Sequence, residues 1–263
     1  MILKILMENT SGSCELKSEH GLSIYIEVKG RKILFDAGQT SAFAENAESM
    51  QVNLAEVDTA ILSHGHYDHS GGLQRFLELN TKAKVLINEH AFHSFYSSPA
   101  KEIGIASFLQ DHNQVVITSD YTKLGDGIEL FTCNAMERQY ETDSNDLFVE
   151  CGESLTVDPF LHEQYLLITE GEKRVLISGC SHKGILNIVK WFEPEVLIGG
   201  FHFKGIEMNE KGKRKLDSYA EKLKEYNTKY YTCHCTGIEQ YEYLRSEMHT
   251  QVEYLASGDI IEV

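Results

Sequence analysis

The decapeptide Ser63-His64-Gly65-His66-Tyr67-Asp68-His69-Ser70-Gly71-Gly72 sets three imidazoles and a carboxylate within six positions, directly behind the apolar run Thr59 to Leu62. Neutral imidazole and carboxylate are the usual N and O donors for zinc and other borderline divalent ions, and a loop can aim several of them at one point. A strand sends alternate side chains to opposite faces, so ligands this close in sequence require irregular backbone. Gly65, Gly71 and Gly72 are expected to supply it. Any fold for this chain must therefore open a buried strand into a metal-binding loop. The competing reading, histidines gathered beside a surface turn, leaves the spacing without a cause.

The rest of the chain alternates short β-rich runs with amphipathic helices, which predicts layered α/β architecture. Strands are expected at Ile2 to Met7, Leu22 to Val28, Lys32 to Phe35, Thr59 to Leu62 and Lys84 to Ile87. A second series is expected at Tyr165 to Thr169, Arg174 to Ile177, Glu195 to Ile198, Lys229 to Thr232 and Gln251 to Leu255. Helices intervene in both series. Ile185, Ile188, Val189 and Phe192 share one helical face, as do Leu216, Tyr219, Leu223 and Tyr226, and Tyr241, Leu244 and Met248 mark a third.

At 263 residues the chain can bury a sizeable core, and one domain spanning 1–263 is expected. Its formal net charge of -16, from 24 Lys+Arg against 40 Asp+Glu, disfavours nucleic acid as a partner, because a polyanion needs a basic track. The one basic run, Lys211, Lys213, Arg214 and Lys215, reads as a solvated helix face. Six cysteines, at 14, 133, 151, 180, 233 and 235, show no CxxC pair and no framework spacing, which suits reduced thiols in the cytoplasm. The start, Met1 to Glu8, is too short and too soon acidic for a signal peptide, and no run approaches the roughly 18 apolar residues of a membrane span. The expected partner is a small-molecule substrate, with neither nucleic acid nor membrane.

The HxHxDH run behind an apolar strand resembles the metallo-beta-lactamase fold superfamily. Further segments, Glu19-His20-Gly21-Leu22-Ser23, Ile33-Leu34-Phe35-Asp36-Ala37-Gly38, Gly179-Cys180-Ser181-His182, Gly200-Phe201-His202 and Cys233-His234-Cys235-Thr236-Gly237, resemble its dihydropterin synthase-like branch. The likeness runs from about Ile2 to Glu253 and is thinnest between Phe92 and Thr156. The order of segments suggests two similar halves, with Asp36-Ala37-Gly38 answering Gly179-Cys180-Ser181 and the His64 loop answering the His202 loop. Together they make a four-layer alpha-beta-beta-alpha sandwich. In such a fold, loops from both halves meet at one rim, where residues distant in sequence complete a metal site.

His182, His202 and His234 each sit where a strand hands over to a loop, which makes them the remaining site candidates. Many relatives bridge two metals with an aspartate at the position that Cys180 holds here, and His182 is preferred over that thiol as ligand. Strand alternation, if it persists, turns Cys233 and Cys235 together and leaves His234 to face the site. The resemblance thus assigns His64, His66 and His182 to one ion and Asp68, His69 and His234 to the other. The ions are zinc first, with manganese or iron as alternatives. Asp36 orients the loop from behind and Cys180 backs the ligands. Relatives commonly supply a further histidine just before the preceding hairpin, and His162 is the only candidate in that region; its neighbours are unlike the usual motif, so it is not assigned.

The expected chemistry is attack by a water whose pKa a metal lowers to about 7, with Asp68 relaying the proton and His202 assisting the leaving group. Lys183, Lys204, Thr236 and Gly237 are candidates to hold a phosphate or carboxylate, against simple helix capping at Ile238. Three functions follow: a hydrolase of a small anionic molecule, phosphorylated, ester or lactone-like; a dihydropterin synthase-like transferase releasing pyrophosphate; and a mononuclear iron redox enzyme. Diiron relatives carry glutamate where this chain has His66, which argues against them. The stretch from His90 to Thr156, with Phe92, Phe95, Tyr96, Phe108 and Tyr121, is expected to set specificity, as a lid or by packing.

Overall fold

The computed structural model describes residues 1–97, 101–142 and 146–263. The chain divides into two compact units, Met1–Ser119 with Asn145–Gln164 and Ala256–Val263, and Asp120–Ser144 with Tyr165–Leu255.

Strands are numbered along the whole chain. The first unit holds β1 (Ile2–Met7), β2 (Ser23–Val28), β3 (Arg31–Phe35), β4 (Thr59–Ile61), β5 (Lys84–Asn88), β8 (Val115–Thr118) and β18 (Ile260–Glu262) in one sheet ordered β18-β1-β2-β3-β4-β5-β8. Its β1–β2–β3 part is an antiparallel meander, and β3, β4, β5 and β8 run parallel. Parallel neighbours need crossovers; helix α1 (Ala42–Ser49) fills the one from β3 to β4, and α2 (Tyr67–Ser70) and α3 (Leu73–Leu79) fill the one from β4 to β5. Leu34, Phe43, Phe76, Val85 and Ile87 are fully buried in this unit's core, each worth about 1.5–3 kcal/mol in apolar area removed from water. A smaller sheet, ordered β12-β11-β6-β7, is made of β6 (Phe95–Ser97), β7 (Lys101–Glu102), β11 (Leu147–Cys151) and β12 (Ser154–Val157).

The second unit's sheet is ordered β17-β16-β15-β14-β13-β10-β9. It comprises β9 (Tyr121–Gly125), β10 (Ile128–Phe131), β13 (Tyr165–Glu170), β14 (Lys173–Ile177), β15 (Val196–Ile198), β16 (Lys229–Thr232) and β17 (Val252–Tyr254). Here too an antiparallel meander, β10–β13–β14, passes into a parallel series, β14 to β17. Helices α4 (Ile185–Phe192), α5 (Glu210–Lys224) and α6 (Ile238–Met248) bury Leu186, Val189, Leu216, Tyr219, Leu223 and Leu244 against it. The Asn209 side chain caps α5 by accepting from the amides of Lys211 and Gly212.

The two sheets thus repeat one strand plan, as the order of segments suggests, but the register differs from expectation by one residue. The Asp36 amide donates to Ile61 O (2.9 Å) and the Ser178 amide to Ile198 O (2.8 Å), so Asp36 answers Ser178 rather than Gly179. Leu62 and Gly199 likewise make matching bonds to the next strand, to Leu86 O and Tyr231 O, both at 3.0 Å.

Two readings change on contact with the structure, the place of Tyr226 and the packing of two aromatics. Tyr226 lies beyond the end of α5, where Lys224 is the last helical residue. The stretch from His90 to Thr156, of which 98–100 and 143–145 lie outside the described residues, holds strands β6 to β11 and most of β12. Of its aromatics, Phe95 is buried, whereas Phe108 and Tyr121 are exposed. Among the described residues, no helix is long and apolar enough to cross a membrane.

Candidate metal centre

In the first unit, β3 and β4 end side by side, and the two residues that follow them build the base of the histidine loop. Asp36, buried and at φ 60°, accepts from the Ser63 amide through Oδ1 (2.7 Å). Its Oδ2 accepts from Ser63 Oγ (2.7 Å) and from His69 Nδ1 (2.6 Å). Ser63 Oγ spends its one proton on the carboxylate, so at its 2.8 Å contact with His64 Nδ1 the imidazole is the donor. Both His64 and His69 therefore carry their proton on Nδ1 and keep a lone pair on Nε2, the arrangement by which a buried carboxylate fixes ligand tautomers. A left-handed Asp is strained, and strain of this kind persists where surrounding bonds over-determine it.

Around that base the donors crowd together. The His64 ring centroid lies 4.4 Å from that of His66 and 4.2 Å from that of His69, and all three side chains are buried. Asp68 Oδ2 approaches His69 Nε2 at 3.7 Å and the half-exposed His20 Nε2 at 3.3 Å. Burial, aided by the neighbouring His162, lowers the His66 pKa to about 3, which keeps that imidazole neutral and able to donate a lone pair. Three buried imidazoles and a carboxylate, closely packed, fit a borderline divalent ion.

The glycines of the loop act by their size. Gly71 (φ -62°, ψ -30°) and Gly72 (φ -78°, ψ -8°) have ordinary right-handed backbone, contrary to the expectation of irregular dihedrals. A Cβ on Gly71 would lie 2.0 Å from Gln39 O, and one on Gly72 would lie 2.1 Å from Ala37 O. At Gly65 the obstacles are Ala91 O (2.7 Å) and Phe95 Cε2 (2.8 Å).

In the second unit the strand-end loops carry the other candidates. Ligand atoms of Cys180, His182 and His202 lie within 4.8 Å of one another, and the His182 and His202 rings are 4.4 Å apart. Ser181, His202 and His234 all have positive φ (58°, 58° and 50°), so this unit also concentrates strained backbone at its strand ends. The alternation expected for Cys233, His234 and Cys235 does not hold, because the strand stops at Thr232 and 234–236 form a 3-10 turn. Cys235 Sγ lies 3.4 Å from Cys180 O. Burial alone would raise the Cys235 pKa, but contacts from Cys180 and His202 hold the thiol well below its usual value.

The anion-binding candidates separate. Lys183 is fully buried and donates through Nζ to Thr132 O (2.7 Å) and Asn134 Oδ1 (2.8 Å), so its ammonium serves the fold and the expectation of an anion site there is corrected. Thr236 is also buried; its Oγ1 accepts from the Phe201 amide (2.8 Å) and meets Thr232 Oγ1. Lys204 is exposed, and its Cα lies 3.1 Å from where a Gly237 Cβ would stand, so those two adjoin at the start of α6.

Sequence reading singled out His162 without giving it a role, and passed over the rest of the segment Asp158–Gln164. The Gln164 amide donates to Ser63 O (2.7 Å) and its side-chain Nε2 to Leu62 O (2.9 Å). His162 Nδ1 accepts from the Gly65 amide (2.8 Å), while its Nε2 donates to Asp158 Oδ2 (2.9 Å). Burial would raise the Asp158 pKa, but His162 and the Phe160 amide hold it below the usual carboxylate value. The only local signal was the polar trio His162-Glu163-Gln164 ahead of an apolar strand.

The family model of the metallo-beta-lactamase superfamily matches residues 18–204. An uncharacterized protein of Methanocaldococcus jannaschii is 29% identical, over 90% of this chain and 91% of its own length. From the same organism, 7,8-dihydropterin-6-methyl-4-(beta-D-ribofuranosyl)-aminobenzene-5'-phosphate synthase is 30% identical, over 93% of this chain and 90% of its own. Among solved structures, the crystal structure of Tm1679, a metal-dependent hydrolase of the beta-lactamase superfamily, superposes with a TM-score of 0.82 at 26% identity, covering 100% of this chain and 99% of that one.

Proposed function

Because this chain belongs to the metallo-beta-lactamase superfamily, we propose that it is a metal-dependent hydrolase of a small anionic molecule, phosphorylated, ester or lactone-like. The observation that carries the reading is the Asp36–Ser63 network, which leaves Nε2 of both His64 and His69 as lone-pair donors beside His66 and Asp68. Divalent ions held there, zinc first and manganese or iron as alternatives, supply an activated water nucleophile at neutral pH and a Lewis acid for the substrate. The proposal keeps His64, His66 and His182 for one ion and Asp68, His69 and His234 for a second.

The chain's own groups then do the following. Asp36 holds two imidazoles in their ligating tautomers. Asp68, whose carboxylate reaches towards the half-exposed His20, takes up the proton released by the nucleophile. His202, partly exposed at its strand-end loop, donates a proton to the leaving group. Lys204 beside Gly237 meets the substrate's negative charge. The place of action is the cytoplasm, and the substrate is free in solution rather than part of a nucleic acid or membrane.

A second reading, a transferase that condenses a dihydropterin methyl diphosphate with an aryl-ribose phosphate, is favoured by the synthase relative at 30% identity over nearly the full length of both chains. One assay separates the two. The purified protein is offered a panel of phosphoesters, diphosphates, lactones and thioesters, and separately the two condensation partners. Turnover of a panel member in water, lost in His66→Ala, supports hydrolysis. Pyrophosphate release that requires both condensation partners, with no turnover of the panel, replaces it with the transferase.

A further inference from the structure

His66, Asp158 and His162 come together with ligand atoms within 4.8 Å of one another, all buried, as a metal-binding trio would. The hydrogen bonds of His162 argue otherwise. Its Nδ1 accepts from the Gly65 amide, so that nitrogen carries no proton; Nε2 then carries it and donates to Asp158 Oδ2. Both in-plane positions of the ring are spent, and no lone pair remains for an ion. Asp158 is engaged too, since its Oδ1 accepts from the Phe160 amide at 2.7 Å.

The residue that His162 holds is the one between two proposed ligands. Gly65 separates His64 from His66, and its backbone is already closed in by Ala91 and Phe95, where a Cβ would collide. Phe95 also packs on the His162 ring, with centroids 4.2 Å apart. With Gln164 bonded to Leu62 and Ser63, the segment holds the backbone at three residues, Leu62, Ser63 and Gly65. The Asp36 network grips His64 and His69 from one side, but no bond of that network touches the Gly65 peptide.

We propose that His162 is a positioning residue and not a ligand: backed by Asp158, it clamps the Gly65 amide and so fixes the spacing of His64 and His66 for metal binding. The proposal rests on the reading that His64 and His66 hold a metal ion.

The test uses the full chain and its variants His162→Phe, His162→Gln, Asp158→Asn and His66→Ala. Glutamine can reproduce both bonds, accepting from Gly65 and donating to Asp158, whereas phenylalanine can make neither. Two quantities are read: amide hydrogen exchange at Gly65 in the apoprotein, and the zinc dissociation constant by competition with a chromophoric chelator. The expected result is faster Gly65 exchange and about 10–100-fold weaker zinc binding in His162→Phe. His162→Gln should restore both to near the wild-type values, and Asp158→Asn should fall between.

Unchanged zinc affinity in His162→Phe, in a preparation where His66→Ala abolishes binding, overturns the clamp and leaves the metal reading intact. So does equal loss of affinity in His162→Gln and His162→Phe with one fewer ion bound, which would make His162 a ligand. Wild-type protein that binds no zinc, or His66→Ala that binds it as well as wild type, overturns the metal reading and the clamp with it.

Discussion

Asp36 carries three hydrogen bonds on two buried oxygens, and two of the proposed ligands depend on them. Replacing Asp36 with Asn puts a donor where the loop supplies only donors, so one bond is lost and a tautomer is released. Zinc affinity is expected to fall about 10–100-fold in Asp36→Asn, measured by chelator competition. Lys183 gives the opposite kind of prediction. Its buried ammonium satisfies Thr132 O and Asn134, so Lys183→Met should destabilise the chain by about 1–3 kcal/mol in urea unfolding while leaving substrate KM unchanged. A raised KM without loss of stability would restore the anion-binding role.

The residue scale also fixes a pH dependence. The folded His66 pKa of about 3 lies below its ordinary value of 6.5, so the unfolded chain takes up a proton first as pH falls. The apoprotein's urea midpoint should therefore be insensitive to this group above pH 6.5 and decline as pH drops towards 3. His66→Gln should flatten part of that decline. An equal slope in wild type and variant would show that the group does not contribute.

Among the elements, the loop between β4 and α3 depends on packing space. Gly71 and Gly72 sit where a methyl group would strike the carbonyls of Gln39 and Ala37, which are backbone and cannot swing away. Gly72→Ala is expected to lower the thermal midpoint strongly, by the equivalent of about 1–3 kcal/mol or more. Gly205→Ala meets nothing within 4 Å and should stay within about 0.5 kcal/mol of wild type.

Ten strands could be placed from the sequence because each is a short run of Ile, Val, Leu, Phe or Tyr bounded by turn residues, and their ends fall within a residue or so of expectation. Two of the strands that were missed, β8 and β12, lack that contrast. Val116 and Ile117 in β8 are exposed, and all four residues of β12 face solvent, so neither carries a buried stripe. The alternation argument around His234 failed because a period-2 pattern holds only while the strand lasts, and β16 ends two residues earlier.

Across the whole molecule, what could be read in advance was the part of the site that is local in sequence. Six consecutive residues contain four donors, and their chemistry is visible without a fold. Asp36 was legible through the resemblance. His162 was not, because its contribution is a hydrogen bond to a residue 97 positions away, and no spacing rule reports a bond of that range. The repeated strand plan explains why catalytic candidates recur at matching strand ends in both units, since each parallel series opens its loops at the same edge of its sheet.

Metal binding at the His64–His69 loop, and hydrolysis that depends on it, stand or fall together. The most direct test is elemental analysis of the full chain purified without added metal, beside His66→Ala and His69→Ala prepared identically. Bound zinc, manganese or iron is expected in the wild type, lost from both variants together with turnover. Wild-type protein free of divalent metal that still turns over its substrate, or variants that keep the full complement, would contradict that expectation.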